Sequence, residues 1–281
     1  MSARPRFRLL ALDIDGTLLR SDKTVSPRTL AALSAAQAQG VKLVLVTGRR
    51  LPAARRAAAA LGPVDLVLHN GALIVEDGAV LRCRPLPRAL AGQAIRIGRA
   101  CGADPVVHAG QQGEGRLVLE GIAPSNTLLA YYVERSNPDV VQVDDLEAAL
   151  LEDPLQVMFG GASTLMAALL PRLLEGIAAP VRIERTEYPE SGVGILDVLA
   201  PGVNKAEALA FLQRRWGVPP EETLAIGDNW NDREMLDAAG LGLIMGNAAP
   251  ELLRLGLPVL PTNDEDGVAV AVENHILSTP S

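Results

Sequence analysis

The stretch from Leu9 to Leu19 (LLALDIDGTLL) constrains the fold of this chain most strongly. Four apolar residues lead directly into Asp13 and Asp15, and Gly16 follows. An apolar run of this length that ends near a glycine is typical of a buried strand in a parallel sheet. Ligands of open α/β sheets bind beyond the carboxyl ends of such strands, so we expect both carboxylates to lie at a functional edge.

The same alternation of apolar strands and helices recurs along the chain. Further strands are predicted at 41–46, 65–68, 195–199, 223–226, 241–245 and 257–260. Helices are predicted at 27–39, 52–61, 205–216 and 267–277, with shorter ones near 231–239 and from Pro250. Strands and helices at this spacing predict a doubly wound, Rossmann-like α/β domain with a parallel sheet.

The segment from 85 to 190 departs from this alternation. Its predicted strands lie near 106 and at 116–120, 140–143, 155–159 and 181–185, and its helices at 88–99, 127–135, from Leu146 and at 162–177. This mixture predicts an inserted α+β module. We therefore expect a discontinuous core at 1–84 and 191–281, interrupted by a module at 85–190.

Composition argues against several classes of partner. The net charge of the 281 residues is −7, and no basic block occurs, which argues against nucleic acid or an anionic membrane as the main partner. No apolar run reaches the roughly 18 residues of a membrane span. The two cysteines imply no disulfide framework, so we expect a cytoplasmic protein.

Thr47, Gly48 and Arg49 lie between a predicted strand and a predicted helix. A hydroxyl and backbone N–H groups at a helix N-terminus suit a phosphate oxygen, and an ordinary strand-to-helix turn explains the pattern equally well. Lys205 begins another predicted helix, where the helix dipole disfavours a cation. We interpret Lys205 as facing a negative charge outside its helix, against the alternative of a solvated surface lysine.

The segment GDNWND at 227–232 places Asp228 at the end of a buried strand and Asp232 four residues later. With Asp13 and Asp15, up to four carboxylates are expected at one edge of the sheet. Like charges so close repel each other unless a cation lies between them. Oxygen ligands without a His or Cys cluster favour Mg2+ over Zn2+.

These motifs together resemble the haloacid dehalogenase (HAD) superfamily of aspartyl-phosphate phosphatases. DIDGTL at 13–18, TGR at 47–49, Lys205 and GDNWND are similar to its four signatures, in the same order and with an insertion between the second and third. HNGA at 69–72, TNDEDGVA at 262–269 and the position of the insertion resemble the Cof-like, type IIB sugar-phosphatase branch. The resemblance implies a HAD core with an α+β cap of type C2B.

The resemblance also implies a role for each matching residue. Asp13 is the expected nucleophile and Asp15 the expected general acid and base, an order that the residues alone leave open. The expected phosphate-binding residues are Thr47, Gly48, Lys205 and Asn231. The expected Mg2+ ligands are Asp13, Asp15 through its backbone carbonyl, Asp228, and Asp232 directly or through water. Asn70, Gly71 and Arg49 are candidate substrate contacts.

The resulting hypothesis is a Mg2+-dependent phosphomonoester hydrolase that acts on small phosphorylated metabolites, sugar phosphates first among them, as a monomer or homodimer. One alternative is a phosphomutase, or a phosphatase dedicated to a single compound such as a mannosyl-phosphoglycerate. Another is a catalytically silent binding module on the same fold. The intact acidic residues and Lys205 weigh against a silent module.

Overall fold

The computed structural model describes residues 5–278. Its strands are β1 (Leu9–Leu12), β2 (Lys42–Val46), β3 (Asp65–Leu68), β4 (Leu73–Glu76), β5 (Ala79–Cys83), β6 (Pro105–Ala109), β7 (Arg116–Leu119), β8 (Val140–Gln142), β9 (Gln156–Ala162), β10 (Arg182–Tyr188), β11 (Val193–Leu199), β12 (Thr223–Gly227) and β13 (Leu241–Ile244). Its helices are α1 (Pro27–Ala38), α2 (Leu51–Ala58), α3 (Arg88–Ala100), α4 (Thr127–Glu134), α5 (Ser163–Gly176), α6 (Lys205–Trp216), α7 (Arg233–Ala238), α8 (Pro250–Leu253) and α9 (Gly267–Val272).

The first sheet, which we call the core sheet, has the order β13-β12-β1-β2-β3-β4-β5. Its first five strands are parallel, and β4 and β5 add an antiparallel hairpin at one edge. Strand β1 lies between β12 and β2, with Leu9 opposite both Thr223 and Lys42. The central position of β1 explains its continuous apolar sequence, because both faces of the strand are covered.

Helices pack on both faces of the core sheet. Leu10 and Leu12 of β1 lie in one apolar cluster with Leu33 of α1 and Val268 of α9. Leu9 and Ala11 lie in the cluster on the opposite face with residues of α6 and α7, among them Leu209 and Met235. This layering is the predicted doubly wound architecture.

The second sheet, which we call the cap sheet, has the order β10-β11-β9-β6-β7-β8 and is mostly antiparallel. On one face, Phe159 of β9 packs in an apolar cluster with Ile95 of α3 and Leu169 of α5. Leu129 of α4 packs with Met158 in a separate cluster. The cap sheet and its helices confirm the predicted α+β character of the insertion.

Three sequence predictions are wrong in detail. The strand predicted at 195–199 belongs to the cap sheet, where β11 pairs antiparallel with β9 and β10. The segment from Leu146 is a turn of four residues, although the Asp145 carboxylate accepts from the backbone N–H groups of Glu147 and Ala148 as a helix N-cap would. The segment 257–260 makes only an isolated bridge between Val259 and Ile244, and its Pro258 has no N–H to donate.

Because the strand predicted at 195–199 pairs within the cap sheet, the boundary between the cap and the second part of the core lies later in the chain than expected. A buried apolar strand has the same sequence pattern in either sheet, so local sequence does not reveal its partners. We infer that the chain returns to the core sheet after Leu199 rather than near Ser191. The segments 1–4 and 279–281 of the predicted core lie outside the described residues.

Across residues 5–278, no helix combines the length and the apolar character that crossing a bilayer requires. The thiols of Cys83 and Cys101 are free and half-buried.

Candidate active site

The predicted site residues lie where neighbouring strands of the core sheet end. Asp13 follows β1, Thr47 follows β2, and Asp228 follows β12. Because β1 is hydrogen-bonded to both β2 and β12, the three residues emerge side by side at the carboxyl edge. Asp13 and Thr47 are buried, with 6% and 2% of their surface exposed.

Lys205 connects two of the acidic residues. Its Nζ donates to Asp13 Oδ1 at 2.6 Å and to Asp232 Oδ1 at 2.5 Å, and the residue is only 1% exposed. Burial alone would lower the pKa of Lys205, but the two carboxylates raise it above its usual value. The unfavourable position at the start of α6 is therefore offset by direct contact with two anions.

Asp232 fixes the loop that carries Asp228. Its Oδ2 accepts from the backbone N–H groups of Asp228 at 3.0 Å and Asn229 at 3.1 Å, while its Oδ1 accepts from Lys205. A side chain at Gly227 would place a Cβ 2.5 Å from the Asp232 Cβ, so this position requires glycine. The Asp232 carboxylate thus has partners on both oxygens.

Asp228 approaches the backbone of the loop after β1. Its Oδ1 accepts from Thr17 Oγ1 at 2.8 Å. Gly16 has φ +77°, and a Cβ there would lie 2.3 Å from Asp228 Oδ2. Glycine is therefore required at position 16 both by the backbone conformation and by the close carboxylate.

The acidic cluster of Asp13, Asp228 and Asp232 fits a hard divalent cation. One carboxylate oxygen from each lies within 4.8 Å of the others. Burial and the negative charge of Asp232 raise the pKa of Asp13 to about 7, in spite of the opposing effect of Lys205. Burial and the charge of Asp13 raise the pKa of Asp228 well above its usual value. Three carboxylates beside one ammonium form a negatively charged cluster of oxygen atoms, which suits a hard divalent cation.

Asp15 points away from this cluster and toward Arg49. Arg49 Nε donates to Asp15 Oδ2, and Nη2 donates to Asp15 Oδ1, both at 2.6 Å. Burial would raise the pKa of Asp15, but the hydrogen bonds and charge of Arg49 hold it below its usual value. Arg49, a candidate substrate contact by sequence, has a carboxylate as its main partner.

The predicted phosphate loop is a tight turn against Asn70. Thr47 Oγ1 accepts from the backbone N–H of Arg49 at 3.1 Å. A Cβ at Gly48 would lie 3.2 Å from Asn70 Oδ1. Gly71, with φ +111°, would place a Cβ 2.4 Å from the carbonyl oxygen of Asn204. The segment after β3 therefore packs directly against both the turn after β2 and the start of α6.

Asn231 and Asn70 are hydrogen-bonded to each other. Asn231 Nδ2 donates to Asn70 Oδ1 at 3.0 Å, and Asn70 Nδ2 donates to Asp197 Oδ2 at 3.0 Å. Gln156 Nε2 donates to Asp197 Oδ1 at 2.8 Å. Sequence reasoning missed Asp197 and Gln156. The only signal was an aspartate inside the apolar run GILDVL, which is unusual for a buried strand.

The cap sheet contacts the loop that carries Asp228. Asn229 Nδ2 donates to the carbonyl oxygen of Glu187 at 3.0 Å, and its Oδ1 accepts from the Glu187 N–H at 3.3 Å. The Arg185 guanidinium lies 5.6 Å from the centre of the Trp230 ring. Strand β10 is therefore held beside the acidic cluster, in a position to cover it.

A doubly wound core with carboxylates at its carboxyl edge and a second sheet over that edge defines the class of capped α/β hydrolases. The sequence pattern of the haloacid dehalogenase-like hydrolases matches residues 10–272, so the chain belongs to that family. This assignment confirms the resemblance seen in the sequence.

Two relatives and one solved structure show how close the similarity is. An HMP-PP phosphatase of Serratia proteamaculans is 32% identical over 278 residues, covering 98% of this chain and 97% of that protein. A 5-amino-6-(5-phospho-D-ribitylamino)uracil phosphatase of Bacillus subtilis is 28% identical, covering 93% and 94%. A haloacid dehalogenase-like hydrolase from Bacteroides thetaiotaomicron superposes with a TM-score of 0.79 at 26% identity, covering 95% and 99%. The chain is accordingly a phosphatase of the HAD superfamily.

Proposed function

We propose that this protein is a Mg2+-dependent phosphomonoester hydrolase that works through an aspartyl-phosphate on Asp13. The observation that carries the proposal is the contact of Lys205 with both Asp13 and Asp232, beside Asp228, at the carboxyl edge of the core sheet. Lys205 contacts the expected nucleophile within a buried acidic cluster. A lysine in this position can bind the oxygens of a phosphoryl group and offset their negative charge.

Asp13 and Asp228 would hold the Mg2+, together with the backbone carbonyl of Asp15. Asp232 is committed to Lys205 and to two backbone N–H groups, so we assign it to the outer layer of the metal site. When bound, the cation supplies positive charge to the phosphoryl oxygens and to the Asp13 carboxylate.

The residues of the chain divide the reaction between them. Asp13 attacks phosphorus as the bond to the leaving oxygen breaks, and Asp15 gives that oxygen a proton. Asp15 then takes a proton from a water molecule that attacks phosphorus, which releases phosphate and frees Asp13. The phosphoryl oxygens are bound by Thr47, Lys205 and Asn231, with backbone N–H groups at Gly48.

We propose small phosphorylated metabolites as substrates, with sugar phosphates and phosphorylated heterocycles as the first to test. The relatives named for an HMP-PP and for a phosphoribitylamino-uracil support this class without selecting one compound. The cap sheet beside the acidic cluster supports a role in excluding water and in selecting the leaving group. We further propose a cytoplasmic location, in agreement with the two free thiols.

A phosphatase screen tests the proposal. Purified protein is assayed against p-nitrophenyl phosphate and a panel of phosphorylated metabolites, with Mg2+, with Mn2+ and with EDTA. We expect release of free phosphate with Mg2+, and no activity with EDTA or in Asp13→Asn. Phosphate that stays on the sugar indicates a phosphomutase, and a wild-type protein without turnover on the whole panel indicates a silent binding module.

A further inference from the structure

A line of hydrogen bonds connects the cap sheet to the expected phosphate site. It runs from Gln156 on β9 to Asp197 on β11, from Asp197 to Asn70, and from Asn70 to Asn231. Asn70 and Asn231 follow β3 and β12 of the core sheet, so the line crosses from one sheet to the other.

The middle of this line is closed to solvent. Asn70, Gln156 and Asp197 are 0%, 1% and 5% exposed. In the described chain, the hydrogen bonds to the Asp197 side chain come from two neutral amides, which is a costly environment for a carboxylate. Packing alone does not require an acid at position 197, since a buried apolar side chain would stabilise the interior of a cap strand more than a buried carboxylate does.

Asp197 determines how the Asn70 amide is oriented. Burial and the nearby Glu184 charge raise the pKa of Asp197 to about 7, so its side chain is ionised above that pH. The ionised carboxylate accepts and does not donate, so it binds the Nδ2 end of Asn70 and turns Oδ1 toward Asn231. The backbone of Asn70 is in the left-handed region, with φ +52°, which asparagine adopts more readily than most residues. Without the acceptor at 197, either end of the amide can face Asn231.

We propose that Asp197 is a positioning residue for phosphate binding, because through Asn70 it fixes the side chain of Asn231. The proposal rests on the proposed function, in which Asn231 binds a phosphoryl oxygen. In this proposal a residue of the cap contributes to binding the phosphoryl group. The cap as a whole is proposed to select the leaving group.

The test compares variants of two cap aspartates that each accept from an asparagine amide. Asp197→Ala removes the acceptor that faces the core. Asp104→Ala is the matched control, because Asp104 accepts from Asn126 Nδ2 at 2.9 Å entirely within the cap. Each variant is measured for kcat and KM on p-nitrophenyl phosphate, for the Kd of orthophosphate by calorimetry, and for its melting temperature.

We expect Asp197→Ala to lower kcat/KM and to raise the Kd of orthophosphate, each by about tenfold, while Asp104→Ala leaves both near wild type. In an Asn231→Ala background, Asp197→Ala should cause less than about a twofold further change, because both act through one contact. Asp197→Asn should recover most of the loss. Its oxygen can still accept from Asn70, and Gln156 can turn its unpartnered Oε1 toward the new amide.

A structural role for Asp197 gives a different pattern. The proposal is overturned if Asp197→Ala and Asp104→Ala lose kcat/KM and orthophosphate affinity equally. It is also overturned if the double variant of Asp197→Ala and Asn231→Ala shows the product of the two single fold-losses. If Asp197→Ala does not fold, Asn70→Gly interrupts the same line at a backbone that glycine tolerates, and it must show the same coupling to Asn231. A wild-type protein that neither hydrolyses phosphate esters nor binds orthophosphate overturns the proposed function as well, so the two failures are distinguishable.

Discussion

Arg49 binds both carboxylate oxygens of Asp15, with two hydrogen bonds of 2.6 Å in a fork-to-fork arrangement. Both side chains are partly exposed, at 25% and 38%. The pair is therefore open to solvent on the side that faces away from the acidic cluster, where the proposed general acid would meet a leaving group. Asp15 must be protonated to act as an acid, and Arg49 favours its ionised form.

Removing the guanidinium should therefore change the pH dependence of the reaction. In Arg49→Met, the pKa of Asp15 rises because burial remains and the opposing charge is gone. We expect the alkaline limb of the kcat profile to move to higher pH, since Asp15 keeps its proton longer. Arg49→Lys retains the charge and should move the limb less. Profiles on an alkyl phosphate, whose leaving group needs the proton, provide the measurement, and an unmoved limb in Arg49→Met contradicts this account.

Gly16 should be essential for metal binding rather than for the turn alone. Gly16→Ala adds a Cβ that overlaps Asp228 Oδ2, whereas Gly40, with φ +85°, has no atom within 4 Å of an added Cβ. Both alanine variants strain a left-handed backbone by about 1–2 kcal/mol. Only Gly16→Ala should also abolish the rise in melting temperature that Mg2+ produces. Equal responses to Mg2+ in the two variants would show that the contact with Asp228 is unimportant.

Removal of the metal should destabilise the protein through the acidic cluster. A cation bound at 100 times its Kd adds about 2.7 kcal/mol to the free energy of unfolding. We expect wild type to melt at a lower temperature in EDTA than in Mg2+. Asp228→Asn should melt at the same temperature in both, because it removes one of the two carboxylates proposed to hold the cation. A full Mg2+ response in Asp228→Asn would place the cation elsewhere.

Lys205→Met should lower both activity and stability. It leaves Asp13 and Asp232 buried without their ammonium, and breaking a buried ion pair in this way destabilises by about 3–5 kcal/mol. The folded-state pKa of Asp13 then rises above about 7, while its unfolded value stays near 3.8. The folded variant therefore binds a proton first as the pH falls, and it regains stability from above about pH 7 down to about pH 4. Urea unfolding at several pH values measures this, with exposed Lys42→Met as the control.

The sequence predicted the core better than the cap, for a physical reason. Asp13, Asp228 and Lys205 were found because each violates a local preference. The two aspartates are acids that directly follow buried strands, and the lysine is a cation at a helix N-terminus. Such a violation is visible without knowing the neighbours. The pairing of Arg49 with Asp15 was not predicted, because it joins two loops and depends on side-chain direction.

The sequence-based prediction of the cap was wrong where only long-range contacts determine the structure. Strand β11 has the apolar sequence of a core strand, and nothing local distinguishes pairing with β9 from pairing with β12. Asp197 is an acid within that strand, and its partner Asn70 lies 127 positions away. The function of such a residue becomes visible only when both sheets are in place.

Two buried histidines at the junction of core and cap should make stability depend on pH. His69, after β3, and His108, on β6, have ring centres 5.3 Å apart and exposures of 0% and 1%. None of their ring nitrogens has a hydrogen-bond partner in the described chain. Burial and the nearby Arg50 charge lower the pKa of His69 to about 4, in spite of an opposing effect of the Gln156 side chain.

The direction of the effect follows from proton binding. Below about pH 6.5 the unfolded chain binds a proton at His69, whereas the folded chain does not bind it until about pH 4. The free energy of unfolding therefore decreases as the pH is lowered from about 6.5 to about 4. His69→Asn suits the left-handed backbone at this position, φ +50°, and removes the titrating group. Between about pH 7 and pH 5, wild type should lose about 2 kcal/mol more unfolding free energy than His69→Asn. Parallel curves for the two proteins would show that His69 accepts its proton in the folded state, which is incompatible with a sealed junction.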